Sequence, residues 1–337
     1  MPDSRFGVAL AALILAGMLA PALAEEPAAP PEVRAVMDRA RAIHDLGAPG
    51  SAPFHLEAAY RQTAPGGRIL TGTIVLHWKA PDAWRREITV GDARFVTVRS
   101  GSTEYRLGRG PVSLDEALVE SGLDGGWNLA ARLRLTPEET ATLARKALAD
   151  GREVVTVSLG PAADERLRAF GFDAASGALE GESDAWGRLA TIHSEMRDGR
   201  RVPVRIETYQ DKKQSSLWVL TSFSAWQPPD ETLLSPPPGA VALAVCGEKE
   251  HPKLEKQVNP KYPPDALARG LGGRAEFDIL LGADGNILEI RASRSTDPMF
   301  EEAALAVLRR WKYEMPKCMS DRGPLLWWVR FAFKPGP

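Results

Sequence analysis

Cysteine and histidine are scarce in this sequence, and no familiar metal-binding or catalytic pattern is built from them. The 337 residues include two cysteines and five histidines, and neither CxxC nor HExxH occurs. The GxSxG pattern of serine hydrolases and the glycine-rich P-loop of nucleotide-binding proteins are missing too. The sequence therefore predicts no catalytic residue, no metal site, no cofactor and no enzymatic activity.

An excess of charge of either sign is also missing. Lys and Arg number 42 against 44 Asp and Glu, which leaves a formal net charge of -2. A balance this close to zero argues against a nucleic-acid-binding surface spread over the chain. The hydrophobic share of 44% and the charged share of 26% are ordinary for a globular protein, and the length favours two domains.

Long hydrophobic runs are missing except near the N-terminus. Phe6–Ala24 carries no charge, follows Arg5 and ends in the small-residue step Ala22-Leu23-Ala24. This pattern is typical of a secretory signal peptide, so we expect residues 1–24 to be removed and the exported chain to begin at Glu25. The alternative is an uncleaved membrane anchor, because the run approaches the roughly 20 residues that span a bilayer.

The two cysteines both lie in the last third of the chain. Export would place Cys246 and Cys318 in an oxidising compartment, where two thiols in one small domain are expected to pair. The alternative is a pair of buried thiols that pack as small apolar residues.

The first 226 residues contain mostly strand patterns. A helical pattern begins at Pro31 and ends near Gly47, and from Ser51 apolar and polar residues alternate in short segments that are separated by turn residues. We expect about eleven strands in one curved antiparallel sheet, a half-barrel with helices on one face. The predicted fold class is α+β, and this domain covers 25–226.

Helices are also predicted within this block of strands. Residues 112–121 favour a weak helix, and Gly125-Gly126 predicts a break after it. Thr136-Pro137-Glu138-Glu139 combines an N-cap, a proline at the first position and an acidic residue three positions after the cap. We therefore expect a helix from Thr136 to about Asp150.

A short linker and a smaller domain complete the chain. Residues 227–240 are rich in proline, and Pro236–Gly239 is expected to extend as polyproline II. The domain that follows, 241–337, has the pattern helix, strand, strand, helix, strand. Its strands are expected at 274–281, 287–295 and 325–333, and its main helix is expected to begin at Asp297 and to end at Trp311.

The residues of this C-terminal domain closely resemble the TonB C-terminal domain family. The matching pieces are Tyr262-Pro263, the segment ALARGLGGRAEF, the hairpin Asp284-Gly285-Asn286, the helix start Phe300–Ala304 and Trp311-Lys312-Tyr313. The resemblance covers roughly a quarter of the chain. It implies protein binding, because members of this family pair a strand edge with an extended peptide of an outer-membrane transporter.

The resemblance implies a partner-binding edge on the last strand, Leu325–Phe333. The alternatives are a plain core strand or a strand exchanged in a dimer. The chain departs from energy-transducing members of this family in two ways: its linker is short, and its apolar N-terminal segment contains no ionisable residue. An energy-transducing role is therefore left open. The expected partner-binding residues are Tyr262, Pro263, Leu326, Trp327, Trp328, Val329, Arg330 and Phe331.

The N-terminal domain more weakly resembles the LolA/LolB-like half-barrels that shield lipid or lipoprotein acyl chains. The residues behind this are FHLEAAY, TGTIVLHWKAPDAWRREITV and VPVRIETY followed by WVLTSFSAW. The resemblance implies an apolar cavity between sheet and helices, and the alternative is ordinary core packing. The candidate lining residues are Trp78, Trp84, Trp127 and Trp218, with Trp226 as a further candidate.

Two functions of different classes follow from these resemblances. The first is a TonB-family periplasmic protein that binds an outer-membrane transporter or another envelope protein by strand addition, with a role in TonB-dependent transport or energy transduction. The alternative is a periplasmic lipid or lipoprotein carrier that uses the half-barrel. Neither function involves nucleic acid, and the protein meets the inner membrane only if Phe6–Ala24 is retained.

Overall fold

A computed structural model shows two compact units. The N-terminal unit comprises 29–108 and 119–242, and the C-terminal unit comprises 110–118 and 243–334. The predicted signal segment, 1–24, lies outside the described residues. Within the described part, no helix has the length and apolar character to cross a membrane. The structure describes residues 29–108, 110–133, 139–161, 168–184, 187–227, 229–247 and 250–334.

One large open sheet dominates the N-terminal unit, as the alternating segments predicted. Its order is β13-β5-β4-β3-β2-β1-β12-β11-β10-β9-β8-β7-β6. Neighbours are mostly consecutive in sequence, and the β1–β12 pairing joins the two halves. The strands are β1 Phe54–Thr63, β2 Ile69–Ala80, β3 Ala83–Val90, β4 Ala93–Ser100, β5 Thr103–Leu107, β6 Glu139–Ala147, β7 Glu153–Pro161, β8 Arg168–Asp173, β9 Leu179–Ser183, β10 Leu189–Arg197, β11 Arg200–Gln210, β12 Lys213–Ala225 and β13 Val241–Ala244.

Helices cover one face of this sheet. Alternate residues of β1 and β2 turn their side chains to that face, where Leu56 and Leu76 are fully buried. Val33 and Met37 of α1 and Leu123 of α2 join the same buried cluster. The α+β architecture with a curved sheet is therefore confirmed. The helices are α1 Pro31–His44, α2 Leu114–Trp127 and α3 Leu129–Arg132.

The predicted break at Gly125-Gly126 is wrong, because α2 runs through both glycines to Trp127. Glycine serves close packing here instead of ending the helix. A Cβ atom on Gly126 would overlap the Trp218 ring, and one on Gly122 would overlap the Tyr60 ring. The helix can lie this close to the sheet only because these positions lack side chains.

The predicted helix from Thr136 to about Asp150 is also wrong over its described part. Residues Glu139–Ala147 form β6, which pairs with all nine residues of β7. Residues 136–138, which carry the capping signal, lie outside the described residues. Pairing along the full length of β7 satisfies the backbone of this segment, and such tertiary pairing outweighs a modest local helix preference.

The predicted linker does not extend as polyproline II. Residues Glu231–Leu234 form a 3-10 turn, which begins where the Asp230 side chain accepts a hydrogen bond from the Thr232 N–H. A second turn follows, in which the Ala240 N–H donates to the Pro237 carbonyl and Gly239 has a positive φ. Leu234 is buried, and the turn at Pro237–Ala240 takes the place of the expected extended segment.

The C-terminal unit has the predicted order of main elements. Its three-stranded antiparallel sheet has the order β16-β15-β18, and α5 packs against β15 and β16. A second, two-stranded sheet pairs β14 with β17, which the sequence did not predict. The elements are β14 Lys253–Lys256, α4 Pro264–Ala268, β15 Gly273–Leu281, β16 Ile287–Ser295, α5 Pro298–Leu308, β17 Lys312–Glu314, α6 Lys317–Ser320 and β18 Leu325–Phe333.

A buried histidine makes the N-terminal unit sensitive to acid. The His44 Nε2 accepts a hydrogen bond from the Leu179 N–H at 2.8 Å, and burial, with a smaller contribution from Arg201, lowers the His44 pKa to about 4. The neutral ring is favoured in the folded state, so its stabilisation is complete above pH 6.5 and is lost as the pH falls toward 4.

We expect His44→Gln to remove this pH dependence while it keeps an acceptor for Leu179. Between pH 6.5 and 4, the parent should lose about 3 kcal/mol more unfolding free energy than the variant. Urea titrations at stepped pH measure the difference. Parallel pH profiles for the two proteins would contradict the assignment.

Candidate functional site

The last strand, β18, lies at an edge of the C-terminal sheet. One side pairs with β15, and no strand of the described residues pairs with the other side. Side chains alternate along it: Trp327, Val329 and Phe331 are buried in the core, while Trp328 and Arg330 lie on the opposite face. The strand is thus anchored through one row of side chains, and its free edge presents unpaired backbone groups.

The two edges of this sheet differ in regularity. The β15–β18 ladder runs through nine consecutive pairs from Gly273–Phe333 to Leu281–Leu325. The β15–β16 ladder shifts register twice, next to Phe277 and next to Leu281. Irregularities of this kind twist an edge and discourage further pairing, so β18 is the better template for an added strand.

The outward face of β18 carries a cation–aromatic pair. The Arg330 guanidinium lies 5.4 Å from the Trp328 ring centre, and the Arg330 Nε donates to Glu276 of β15. Further along the strand, Leu326 packs with Leu280 and with Leu114 from residues 110–118. The sequence did not predict this packing, because residues 110–118 lie far from β18 in the chain.

The predicted residues Tyr262 and Pro263 lie next to the end of β18. The Tyr262 hydroxyl donates to the Leu271 carbonyl at 2.5 Å, and its ring meets the Phe300 and Phe333 rings edge-on. Pro263 is buried and precedes α4. Tyr262 therefore packs against the C-terminal end of the strand, and the predicted role of both residues in partner binding stays a prediction.

The predicted disulfide between Cys246 and Cys318 is confirmed, with the two Cα atoms 5.4 Å apart. It ties the start of the C-terminal unit to α6, the element before β18. The Arg322 Nη2 adds a hydrogen bond to the Ala244 carbonyl at 3.1 Å. Glu250 also approaches the bridge, but both sulfur atoms are committed to the S–S bond and are not available as thiolates for a metal.

The four tryptophans predicted to line a cavity are all buried in the core of the N-terminal unit. Trp78 is completely covered, and the Trp218 Nε1 donates to the Leu123 carbonyl of α2. A shallow groove of about 420 Å³ lies elsewhere, between Thr73 and Val219 on the opposite face of the sheet, and none of the four lines it. Their role in binding a ligand stays a prediction.

A charged network under α2 was not predicted. Arg86 of β3 pairs with Asp124 and, at 3.3 Å, with Glu120, and Arg106 of β5 also lies 3.5 Å from Glu120. Burial raises the pKa of Asp124 despite the neighbouring guanidinium. The sequence does contain one indication of this network: Glu120 and Asp124 are four residues apart, which places both on one helix face.

Comparisons with known proteins find one matching family and several similar solved structures. Residues 258–335 match the family described as Gram-negative bacterial TonB protein C-terminal. A search of the curated proteins finds no match. A LolA superfamily protein of Nitrosomonas europaea is 12% identical and has a TM-score of 0.38, with 60% of this chain and 97% of that chain covered. The TonB C-terminal domain of Pseudomonas aeruginosa is 23% identical and has a TM-score of 0.22, with 27% of this chain and 90% of that chain covered. A MucA/MucB complex of Pseudomonas aeruginosa is 14% identical and has a TM-score of 0.30, with 91% of this chain and 100% of that chain covered. Residues 258–335, which contain β18 and its free edge, are thus similar to the TonB C-terminal domain family.

Proposed function

We propose that this chain is a cell-envelope protein that binds an extended peptide of a partner protein by strand addition at the free edge of β18. The observation that carries the proposal is the position of β18, a regular nine-residue strand with one paired side and one unpaired side. The similarity of residues 258–335 to the TonB C-terminal domain family supports the same mode of binding.

The geometry supports recognition through the backbone first and side chains second. An added strand pairs with the unpaired N–H and C=O groups of β18, and each hydrogen bond contributes about 1 kcal/mol. The buried row Trp327, Val329 and Phe331 anchors the strand to the core. On the other face, Trp328 and Arg330 can contact alternate side chains of the peptide, which provides selectivity.

The proposed partner is an outer-membrane transporter, or another envelope protein, that carries an extended segment. Transport or energy transduction is the finer proposal and requires, in addition, a link to an energised inner-membrane complex. The enzymatic inactivity expected from the sequence is part of the same proposal, since strand addition needs no chemical step.

Peptides with altered backbones test strand addition without a change in the protein. We expect labelled N-terminal peptides of outer-membrane transporters to bind the full, oxidised chain. In an added strand, alternate residues point their N–H groups at the edge, so N-methylation of one alternate set should weaken binding at least about tenfold while the other set binds nearly normally. Fluorescence anisotropy measures both affinities.

Two variants locate the binding edge. Trp328→Ala should weaken binding because its side chain flanks the free edge, and Leu288→Ala on β16, which is 54% exposed, is the matched control that should bind normally. Equal loss from both methylated sets, or a larger effect of Leu288→Ala, would refute strand addition at β18.

The acyl-chain carrier is not favoured by any contact among the described residues. The apolar face under α2 is occupied by Tyr60 and Trp218, which approach the helix so closely that Gly122 and Gly126 leave no room for a methyl group. A carrier would need α2 to move away from the sheet.

A further inference from the structure

Two histidines face each other on the surface of the N-terminal sheet, away from the helices. His55 of β1 and His77 of β2 are direct cross-strand partners. Their Nδ1 atoms lie 3.3 Å apart, and the rings are tilted by 40° with centres 4.6 Å apart. The His55 side chain is 19% exposed, so solvent ions can reach the pair.

A carboxylate sets the tautomer of one ring. The His55 Nε2 lies 3.0 Å from Glu57 Oε1, a contact in which the nitrogen carries the proton and donates it. In the neutral ring, the His55 Nδ1 then holds a lone pair and points toward His77. Metal-binding histidines very often donate their second ring N–H to a carboxylate in this way, which orients the ring and raises its basicity.

We propose that His55 and His77 bind a divalent transition-metal ion, with Zn²⁺ as the probe. Two imidazole nitrogens bound tetrahedrally at the usual Zn–N length lie about 3.3 Å from each other, the separation of the two Nδ1 atoms. Binding requires the two rings to rotate until both nitrogens point at one ion. Water completes the coordination, and Glu57 is the carboxylate that positions His55.

Charges of both signs face the pair, and carboxylates are the more numerous among those that act on it directly. Glu57, Glu87 and Asp230 all interact electrostatically with this pair, while Arg85 is the opposing charge. Arg85 lies 3.6 Å from Glu87, which also accepts a hydrogen bond from Arg94 at 2.7 Å, so Glu57 and Asp230 are the carboxylates that favour a cation here. Trp226 covers His77, with ring centres 5.3 Å apart, and limits the approach of water from that side.

The binding of Zn²⁺ to the full, oxidised, tag-free chain tests the proposal by calorimetry. Oxidising conditions keep Cys246 and Cys318 in their disulfide, so thiolates do not compete. We expect one site, at least tenfold weaker in His55→Asn and His77→Asn, and about tenfold weaker in Glu57→Gln, which keeps both histidines. His193→Asn is the matched control, since His193 lies on β10 with its side chain 54% exposed.

A spectroscopic measurement adds an independent readout. Cu²⁺ bound by this pair should show superhyperfine coupling to two nitrogens, reduced to one in either histidine variant. Circular dichroism checks that each variant is folded. Equal Zn²⁺ affinity in the parent and both histidine variants, or no measurable Zn²⁺ binding by the parent, would overturn the proposal and leave a hydrogen-bonded imidazole pair.

Discussion

Replacing Cys246 and Cys318 together by serine is expected to lower the unfolding free energy of the C-terminal unit by about 4 kcal/mol. The bridge closes a segment with a sequence separation of 72 residues, and its loss gives the unfolded chain more conformational freedom. Cys318 is also buried, so the serine hydroxyl adds a smaller desolvation cost. The double substitution leaves no unpaired thiol that could form a bridge between molecules.

Hydrogen exchange can assign this loss to one unit. Amide protection in β15, in the C-terminal unit, should fall by on the order of a thousandfold, the factor that corresponds to about 4 kcal/mol. Amides of β1, in the N-terminal unit, serve as the control within the same molecule and should change little. Unchanged protection in β15, or an equal fall in β1, would show that the disulfide does not stabilise the C-terminal unit in this way.

The second large effect is expected from a single methyl group on α2. Gly126→Ala places a Cβ atom into the Trp218 ring, which is itself buried and hydrogen-bonded to the Leu123 carbonyl. Neither group can move easily, so the helix must shift away from the sheet. We expect a loss of about 3 kcal/mol or more in unfolding free energy, near the upper end for overpacked cores.

The neighbouring glycine provides a matched control. A Cβ atom on Gly125 meets only the end of the Arg132 side chain, at 3.0 Å, and this flexible group can give way. Gly125→Ala should therefore be neutral or stabilise α2 by up to about 1 kcal/mol, the difference in helix propensity. Urea denaturation of the pair measures the contrast. Similar stability in both variants would mean that α2 does not pack on Trp218 as described.

The sequence predicted structural features correctly where they depend on neighbouring residues or on residue type. The pattern of Leu325–Phe333 predicted the strand, and its side chains alternate between two faces because a strand has a period of two whatever it pairs with. The capping signal at Asp297 placed the start of α5 correctly. The disulfide followed from the presence of only two cysteines and an expected oxidising compartment.

Secondary-structure predictions were wrong where contacts with residues distant in sequence outweigh the local conformational preference. The segment Glu139–Ala147 was expected to be helical, but β7 supplies a complete set of hydrogen bonds to it. Gly126 was expected to end a helix, and the Trp218 ring is the reason that glycine is needed there. Neither partner can be found by spacing along the chain, because β12 lies far from α2 in sequence.

Local patterns in the sequence were enough to predict the strands and helices of the C-terminal domain, its resemblance to a known family and the pairing of the cysteines, because periodicity, turn residues and residue type act over a few positions. Three features become visible only in the folded chain: the strand that lies at an edge, the face of the sheet that α2 covers and the contact between the two histidines. These depend on the register between strands, and register sets contacts such as His55–His77 that have no trace in local spacing.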